Sequence, residues 1–320
     1  MKERLFVIVG PTAVGKTKTG IELAKAFDGE IISGDSMQIY RSMDIGTAKI
    51  SKEEMEGIPH HLIDIKDPCD SFSAAEFQEL ARTSISDINK RGKVPIIVGG
   101  TGLYIRSVTH QYEFSSAPGD EGYRQELEEL AREKGEVHVH ALLEKNDPKS
   151  AEKIHPNNIR RVIRALEIYH STGKTMSDTL AEQQTHEESP YELVLIGLSM
   201  DRELLYERIN QRVDEMVASG LVEEAHRLYS EGVRDCQSVQ AIGYKEIYEY
   251  LEGRLTLDEA VELLKRNSRR YAKRQYTWFR NQMDIKWFDM SSQNFYDNFK
   301  EIRLFVEGKL KNLSNDYSNG

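Results

Sequence analysis

The stretch from Leu5 to Phe27 constrains the fold of this chain more than any other. Leu5-Phe6-Val7-Ile8-Val9 is an unbroken apolar run, the pattern of a strand buried on both faces of a parallel sheet. Gly10-Pro11-Thr12-Ala13-Val14-Gly15-Lys16-Thr17 follows at once and fits the P-loop spacing of Gly, four residues, then Gly-Lys-Thr. Ile21, Leu23, Ala24 and Phe27 then supply the apolar face of a helix. In such a loop the backbone N–H groups converge on phosphate oxygens, and the helix N-terminus favours their charge. Lys16 reaches a phosphate, and the Thr17 hydroxyl helps to hold Mg²⁺. A glycine-rich turn beside a surface lysine is the bland alternative; the strand before and the helix after argue against it. The pattern predicts an α/β fold, with a P-loop NTPase-like parallel sheet flanked by helices, that binds a di- or triphosphate. It does not say which one.

The rest of the first half extends that sheet. Glu30-Ile31-Ile32-Ser33 reads as a second strand, ending in Gly34-Asp35-Ser36-Met37-Gln38-Ile39-Tyr40-Arg41. Ligands of open parallel sheets sit beyond the carboxyl ends of the strands, so Asp35 belongs beside whatever the P-loop holds. A carboxylate there can act as a general base or metal partner, or simply cap a short helix; position alone leaves these open. Ser36 and Gln38 add groups able to read a polar ring. Residues 57–65 read as a turn and third strand, in which His60 and His61 lack a third metal ligand nearby. Ser73-Ala74-Ala75-Glu76 fits a capping box, opening a helix to about Arg91 with Phe77, Leu80, Ile85 and Ile88 inward. Val94-Pro95-Ile96-Ile97-Val98 is another buried strand. It exits through Gly99-Gly100-Thr101-Gly102-Leu103-Tyr104, with no acidic residue to organise metal and water. That omission counts against an NTP-hydrolysing motor or switch.

At 320 residues the chain has room for two domains, or one with a large insertion. From Ser115 to Gly122 it turns polar and loop-like, and from Tyr123 to about Thr185 it reads as helical. A strand pattern returns at Tyr191-Glu192-Leu193-Val194-Leu195-Ile196-Gly197-Leu198. The expected division is a core of residues 1–115 and 191–320 interrupted by a helical insertion at 116–190. In the insertion, Arg160, Arg161 and Arg164 share one side of a helix, with Glu167 as the only acid near enough to neutralise them. An amphipathic pattern from Asp201 to Tyr229, broken near Gly220, sets Arg208 and Arg212 one turn apart. Gln240-Ala241-Ile242-Gly243-Tyr244-Lys245-Glu246 is a turn opening a helix. From Lys265 to Arg280 there are seven cations and no acid, with Tyr271, Tyr276, Trp278 and Phe279 interleaved. Arg266, Arg269, Arg270 and Lys273 fall on one helical face. On a chain of net charge −10 this is a local footprint for a phosphate backbone. A helix packed by its aromatics, with a wet cationic face, is the alternative. Lys286-Trp287-Phe288-Asp289 reads as a last strand, and a disordered tail is expected from Asn312.

No apolar run approaches the length of a membrane span, and the first strand begins too early for a signal peptide. The two cysteines, Cys69 and Cys236, are expected to be reduced thiols in a cytoplasmic protein.

In order and content, these segments resemble one family, the bacterial tRNA dimethylallyltransferases, also called tRNA isopentenyltransferases. The resemblance rests on the P-loop, Asp35-Ser36-Met37-Gln38-Ile39-Tyr40-Arg41, Gly99-Gly100-Thr101-Gly102-Leu103-Tyr104 and Arg164-Ala165-Leu166-Glu167. It continues through Gln240-Ala241-Ile242-Gly243-Tyr244-Lys245, Tyr271-Ala272-Lys273-Arg274-Gln275 and Thr277-Trp278-Phe279-Arg280. Val14 departs from the small or polar residue common there, and no C-terminal Cys/His zinc module is present. The resemblance implies transfer of a dimethylallyl group from its diphosphate to N6 of the adenosine 3′ of the anticodon, in tRNAs reading codons that begin with U. It implies that Gly10 to Thr17, with Arg212 and less directly Arg208, bind the diphosphate, with Mg²⁺ on Thr17. It implies Asp35 as the base that hydrogen-bonds N6 and accepts its proton, and Thr101 as the residue that positions N6 or Asp35. Ser36, Met37, Gln38 and Ile39 would line the base side. Arg124, Arg160, Arg161, Arg164, Gln240, Gly243, Lys245, Lys273 and Arg274 would hold the anticodon stem-loop. A cytoplasmic monomer with no membrane association completes the expectation. The rival is a small-molecule or nucleotide kinase, which shares the P-loop, a helical lid and an Asp after the second strand but has no need of the cationic stretch. A third reading is an RNA-binding nucleotide switch.

Overall fold

A computed structural model describes residues 2–114, 120–184, 188–292 and 294–318. The polar stretch expected from Ser115 therefore lies outside the described residues as far as 119, as does the region around Thr185. The chain divides into two compact units, residues 1–109 with 189–320, and residues 110–188.

The first unit is built on six parallel strands in the order β3-β2-β4-β1-β5-β6. They are β1 (Arg4–Val9), β2 (Gly29–Gly34), β3 (His60–His61), β4 (Val94–Gly99), β5 (Glu192–Ser199) and β6 (Lys286–Asp289). The expected α/β architecture is present, although the third strand keeps only two residues of hydrogen-bonded pairing. Helices α1 (Lys16–Phe27), α2 (Ala74–Lys90) and α3 (Gly102–Thr109) belong to the first half. Alternation along β1 serves two cores: Leu5, Val7 and Val9 face one, Phe6 and Ile8 the other, so both faces of the sheet are covered.

Register sets the site. Val9 and Gly34 both pair with Gly99, so three neighbouring strands end abreast. The P-loop, Asp35 and Thr101 consequently leave the sheet side by side. Gly99 is a steric requirement of this closeness: a Cβ there would lie 2.3 Å from the Gly34 carbonyl oxygen.

Residues 110–188 form α4 (Glu121–Lys134), α5 (Glu136–Asn146), α6 (Pro148–Lys153), α7 (Ile159–Thr172) and α8 (Met176–Gln184). They enclose their own core, which includes Leu127, Val139, Leu143, Val162, Ile163 and Leu166. The first unit resumes with β5, then α9 (Arg202–Ala218), α10 (Leu221–Ser230), a 3₁₀ turn (Gln237–Gln240), α11 (Tyr244–Leu251), α12 (Leu257–Gln282), β6 and α13 (Phe295–Ser318). Gly220, in the left-handed region at φ 101°, makes the break between α9 and α10.

Several expectations are corrected. The Ser73–Glu76 capping box forms, with Phe77, Ile85 and Ile88 buried, but Ala81 takes the inward place assigned to Leu80, which is 37% exposed. Ile39 is fully buried in the core and lines neither of the two cavities of the candidate site. Helix α13 continues to Ser318, where a disordered tail was expected from Asn312. The cysteines are not free thiols: Cys69 and Cys236 form a disulfide, their Cα atoms 4.9 Å apart. The loop after β3 and the 3₁₀ turn meet there, and the Ser238 hydroxyl donates to the Pro68 carbonyl (2.6 Å). A pairing across 167 residues of sequence leaves no local sign of itself.

Candidate active site

The P-loop takes its shape from two glycines. A Cβ at Gly10 would come within 2.7 Å of the Leu198 carbonyl oxygen, and Gly15 has φ 102°, strained for any L side chain. Val14 is buried among Ile8, Leu23 and Leu198, so its side chain serves the core and its departure from the family pattern leaves the loop unaffected. No side chain caps α1 and no acid lies in its first turn, so the amides at its start are offered to an anion.

Lys16 folds back to donate to the Pro11 carbonyl (2.7 Å). Burial is the largest influence on it and lowers its pKa to about 7; Asp35 pulls the other way, and Arg212 adds to the depression. Arg212, from α9, donates to the Thr12 hydroxyl (3.4 Å). Its pKa is lowered by burial and partly restored by Asp35, Glu215 and Glu54. These mutual influences put two cations and one carboxylate within electrostatic reach of each other.

Two adjoining cavities meet at the Asp35 and Arg212 members of this triad. One, about 450 Å³, is lined by P-loop residues including Thr12, Ala13, Gly15, Lys16 and Thr17, by Arg208 and Arg212, and by the apolar side chains of Ile31, Ile50, Ile63 and Val98. The second, about 310 Å³, is lined by Ser36, Met37, Gln240, Lys245, Met216 and Arg274. Thr12, Asp35, Thr47, Arg212 and Tyr271 line both. Asp35 therefore stands between the P-loop cavity and its neighbour.

Asp35 Oδ1 accepts the Met37 N–H (2.9 Å), and among the described residues Oδ2 makes no hydrogen bond. The carboxylate thus both shapes its own turn and keeps an oxygen for chemistry. Thr101 Oγ1 accepts the Ser36 N–H (3.2 Å) and approaches the Ser36 hydroxyl (3.4 Å), tying the exits of β4 and β2 together. Gln38 spends both ends of its amide inside the protein: Oε1 accepts from Ser33 (3.1 Å), and Nε2 donates to the Thr47 and Ala48 carbonyls (3.4 and 3.2 Å).

Gln240 and Lys245 reach the second cavity, whereas Gly243 is buried backbone at φ 114° whose N–H donates to Glu246 (2.8 Å). Along α12 the cations divide. Arg266, Arg270, Lys273 and Arg274 reach the surface in whole or in part. Lys265 pairs with Asp214 (2.7 Å), and Arg269, expected on the outer face, turns to Asn210. In the other unit, buried Glu167 holds Arg124 (2.8 Å) and Arg164 (2.7 Å), while exposed Arg160 and Arg161 have no ion-pair partner among the described residues. Of the cluster on α7, then, Glu167 takes only Arg164, and its other oxygen goes to Arg124 of α4.

Sequence reasoning missed Tyr271, Gln275 and Glu224. Tyr271 lines both cavities and interacts with Thr101 and Gln275; burial raises its pKa and keeps it a neutral donor. Glu224 accepts the N–H groups of Asp44, Ile45 and Gly46 (3.0, 2.9 and 3.0 Å) and the Tyr244 hydroxyl (2.6 Å), fixing the loop that walls both cavities. The readable signal is a polar stripe, Tyr271 and Gln275 one turn apart, on the inner face of a helix whose cations and aromatics draw attention away from it.

Thr17, in the first turn of α1, lines the P-loop cavity, and no cluster of three His, Cys, Asp or Glu among the described residues offers an all-protein cage. A Mg²⁺ held through Thr17 would need substrate phosphate oxygens and water for the rest of its shell.

The family model described as IPP transferase matches residues 38–282. The tRNA dimethylallyltransferase of Geobacillus kaustophilus is 61% identical over 312 residues, covering 97% of this chain and 98% of that protein. The one from Halalkalibacterium halodurans is 60% identical over 317 residues, covering 98% and 100%. The solved full-length tRNA isopentenylpyrophosphate transferase of Bacillus halodurans is similar with a TM-score of 0.76 and 57% identity, covering 99% of this chain and 100% of that one. A eukaryotic dimethylallyltransferase acting on tRNA gives a TM-score of 0.81 at 31% identity, covering 99% of this chain and 80% of that one. With a family match across most of its length and relatives similar from end to end, the chain belongs to the IPP transferase family.

Proposed function

We propose that the chain transfers the dimethylallyl group of dimethylallyl diphosphate to N6 of the adenosine just 3′ of the anticodon, in tRNAs that read codons beginning with U. The observation that carries this reading is the placement of Asp35 between the P-loop cavity and its neighbour. The diphosphate binds at the P-loop amides, Lys16 and Arg212. Mg²⁺ on Thr17, when bound, neutralises charge on the diphosphate oxygens. The adenine enters the second cavity, extruded from the anticodon loop. N6 attacks the allylic carbon as its bond to the diphosphate oxygen breaks; the diphosphate leaves with the electron pair, and Asp35 accepts the N6 proton. Charge grows on the leaving group, so cations and amides aimed at it stabilise the transition state more than the ground state. An adenine amino group is a weak nucleophile, so orientation by Asp35 and Thr101 matters as much as basicity. A tRNA substrate calls for a cytoplasmic protein, and the chain acts as a monomer in this reading. Among the described residues no helix is long and apolar enough to cross a membrane.

Incubation with dimethylallyl diphosphate, Mg²⁺ and unmodified tRNA, followed by nucleoside mass analysis, tests the reading. N6-dimethylallyladenosine is the expected product. Phosphate transfer from ATP to a small acceptor, without that nucleoside, would favour the kinase and overturn it.

The surface cations of α12 meet the tRNA backbone, together with Arg160 and Arg161 of the insertion. Replacing Lys273 and Arg274 by alanine is expected to weaken tRNA binding and to reduce its dependence on log salt by about 0.7–0.9 for each phosphate no longer neutralised. Arg269→Ala, whose guanidinium is engaged by Asn210, should leave that slope unchanged. Equal slopes for the double variant and the parent would make the cationic face structural.

A further inference from the structure

Gln275 is buried on the inner face of α12 and bridges two loops that are far apart in sequence. Its Oε1 accepts the N–H of Thr12 in the P-loop (2.9 Å), and its Nε2 donates to the carbonyl of Gly100 (3.1 Å), which immediately precedes Thr101. A primary amide suits this place because one backbone group is a donor and the other an acceptor. A carboxylate could not donate, an ammonium could not accept, and an apolar side chain would leave both backbone groups unpaired.

The surroundings are built around it. A Cβ at Gly100 would lie 2.1 Å from Gln275 Nε2, so that glycine makes room for the amide. One turn earlier Tyr271 interacts with Thr101; one turn later Trp278 fills the space over Gly102, where a Cβ would meet its ring at 2.2 Å. Residues 271, 275 and 278 follow helical spacing, so one face of α12 clamps the exit of β4. This also accounts for the glycines that replace an acidic residue after that strand.

We propose that Gln275 is a positioning residue for the transfer reaction: it sets the separation between the loop that holds the leaving diphosphate and the loop that carries Thr101 and, through Ser36, abuts Asp35. The inference rests on the function proposed above. Attack on an allylic carbon needs the nucleophile and the leaving group on one line, and misplacement by about 1 Å costs roughly a hundredfold in rate.

The test compares Gln275→Met, of similar size but without the bridge, with Gln275→Glu. Gln275→Met is expected to lower kcat by about 10- to 100-fold, with dissociation constants for tRNA and for inorganic pyrophosphate within about threefold of the parent. In Gln275→Glu a protonated carboxyl can accept from Thr12 and donate to Gly100, whereas the ionised form cannot donate. The ratio of its kcat to that of the parent should therefore rise as pH falls. Parental kcat in Gln275→Met, or a ratio for Gln275→Glu that stays low and flat with pH, overturns the proposal. A loss of kcat matched by an equal loss of pyrophosphate affinity also overturns it, because the residue would then only shape the binding loop. If Gln275→Met fails to fold, the pH profile of Gln275→Glu decides. An inactive parent would refute the function itself; an active parent with unimpaired variants refutes this inference alone.

Discussion

Asp35→Asn is expected to lower the rate of dimethylallyl transfer by about two to four orders of magnitude, the span typical of a positioned general base. Asparagine is the informative replacement because its Oδ1 can still accept the Met37 N–H, a bond of 2.9 Å in the parent. The turn that presents Ser36 and Met37 to the second cavity therefore survives, and tRNA affinity should change little. What disappears is the proton acceptor and the negative charge. That charge has a second effect: Asp35 raises the pKa of both Lys16 and Arg212 against the depression caused by burial. The variant should thus also bind the diphosphate less well at alkaline pH. Single-turnover transfer from labelled dimethylallyl diphosphate, measured beside tRNA binding, separates the two effects. A variant within about threefold of the parental rate would remove Asp35 from the chemistry.

Lys16→Met is expected to reduce turnover by about 10²- to 10³-fold, the range seen when one preorganised donor to a developing anion is removed. Its pH dependence is a sharper signature. Burial lowers the Lys16 pKa to about 7, so without ligand the side chain is charged below that pH and increasingly neutral above it. A bound diphosphate favours the charged form. Binding at alkaline pH must therefore take up a proton, and KM for dimethylallyl diphosphate should rise with pH above about 7. Folding stability follows the same linkage. The unfolded chain holds this proton up to its ordinary value of 10.5, so the contribution of Lys16 is most favourable above that value and is lost as pH falls toward 7. Lys16→Arg, whose guanidinium does not titrate in this range, should flatten the alkaline rise in KM. A parental KM that is level across the same range would show that Lys16 does not meet the diphosphate as a titrating cation.

What could be read directly from the residues was local. The P-loop declares itself because the strand, the glycines and the lysine are consecutive and each obeys a short-range rule. The Ser73 capping box, the break at Gly220 and the helical spacing of α12 are legible for the same reason. Errors arose where the partner is remote. Leu80 and Ala81 are adjacent, and small differences in helix rotation decide which one faces the core. Arg269 looks like its neighbours until Asn210 is brought beside it. Glu167 looks like a neutraliser of its own helix until burial turns one of its oxygens to Arg164 and the other to Arg124, 43 residues away.

The sequence by itself determined the nature of the chemistry: a phosphate-binding loop, a carboxylate after the second strand, a strand exit without an acid, and a cationic helix. Tertiary structure alone decided how those pieces are held to one another. Glu224 is 178 to 180 residues from the loop whose amides it gathers, and Gln275 is 263 residues from the Thr12 amide it accepts. Pairing of buried polar groups is enforced by exclusion from water, which depends on what the folded chain packs around them and not on their neighbours in sequence.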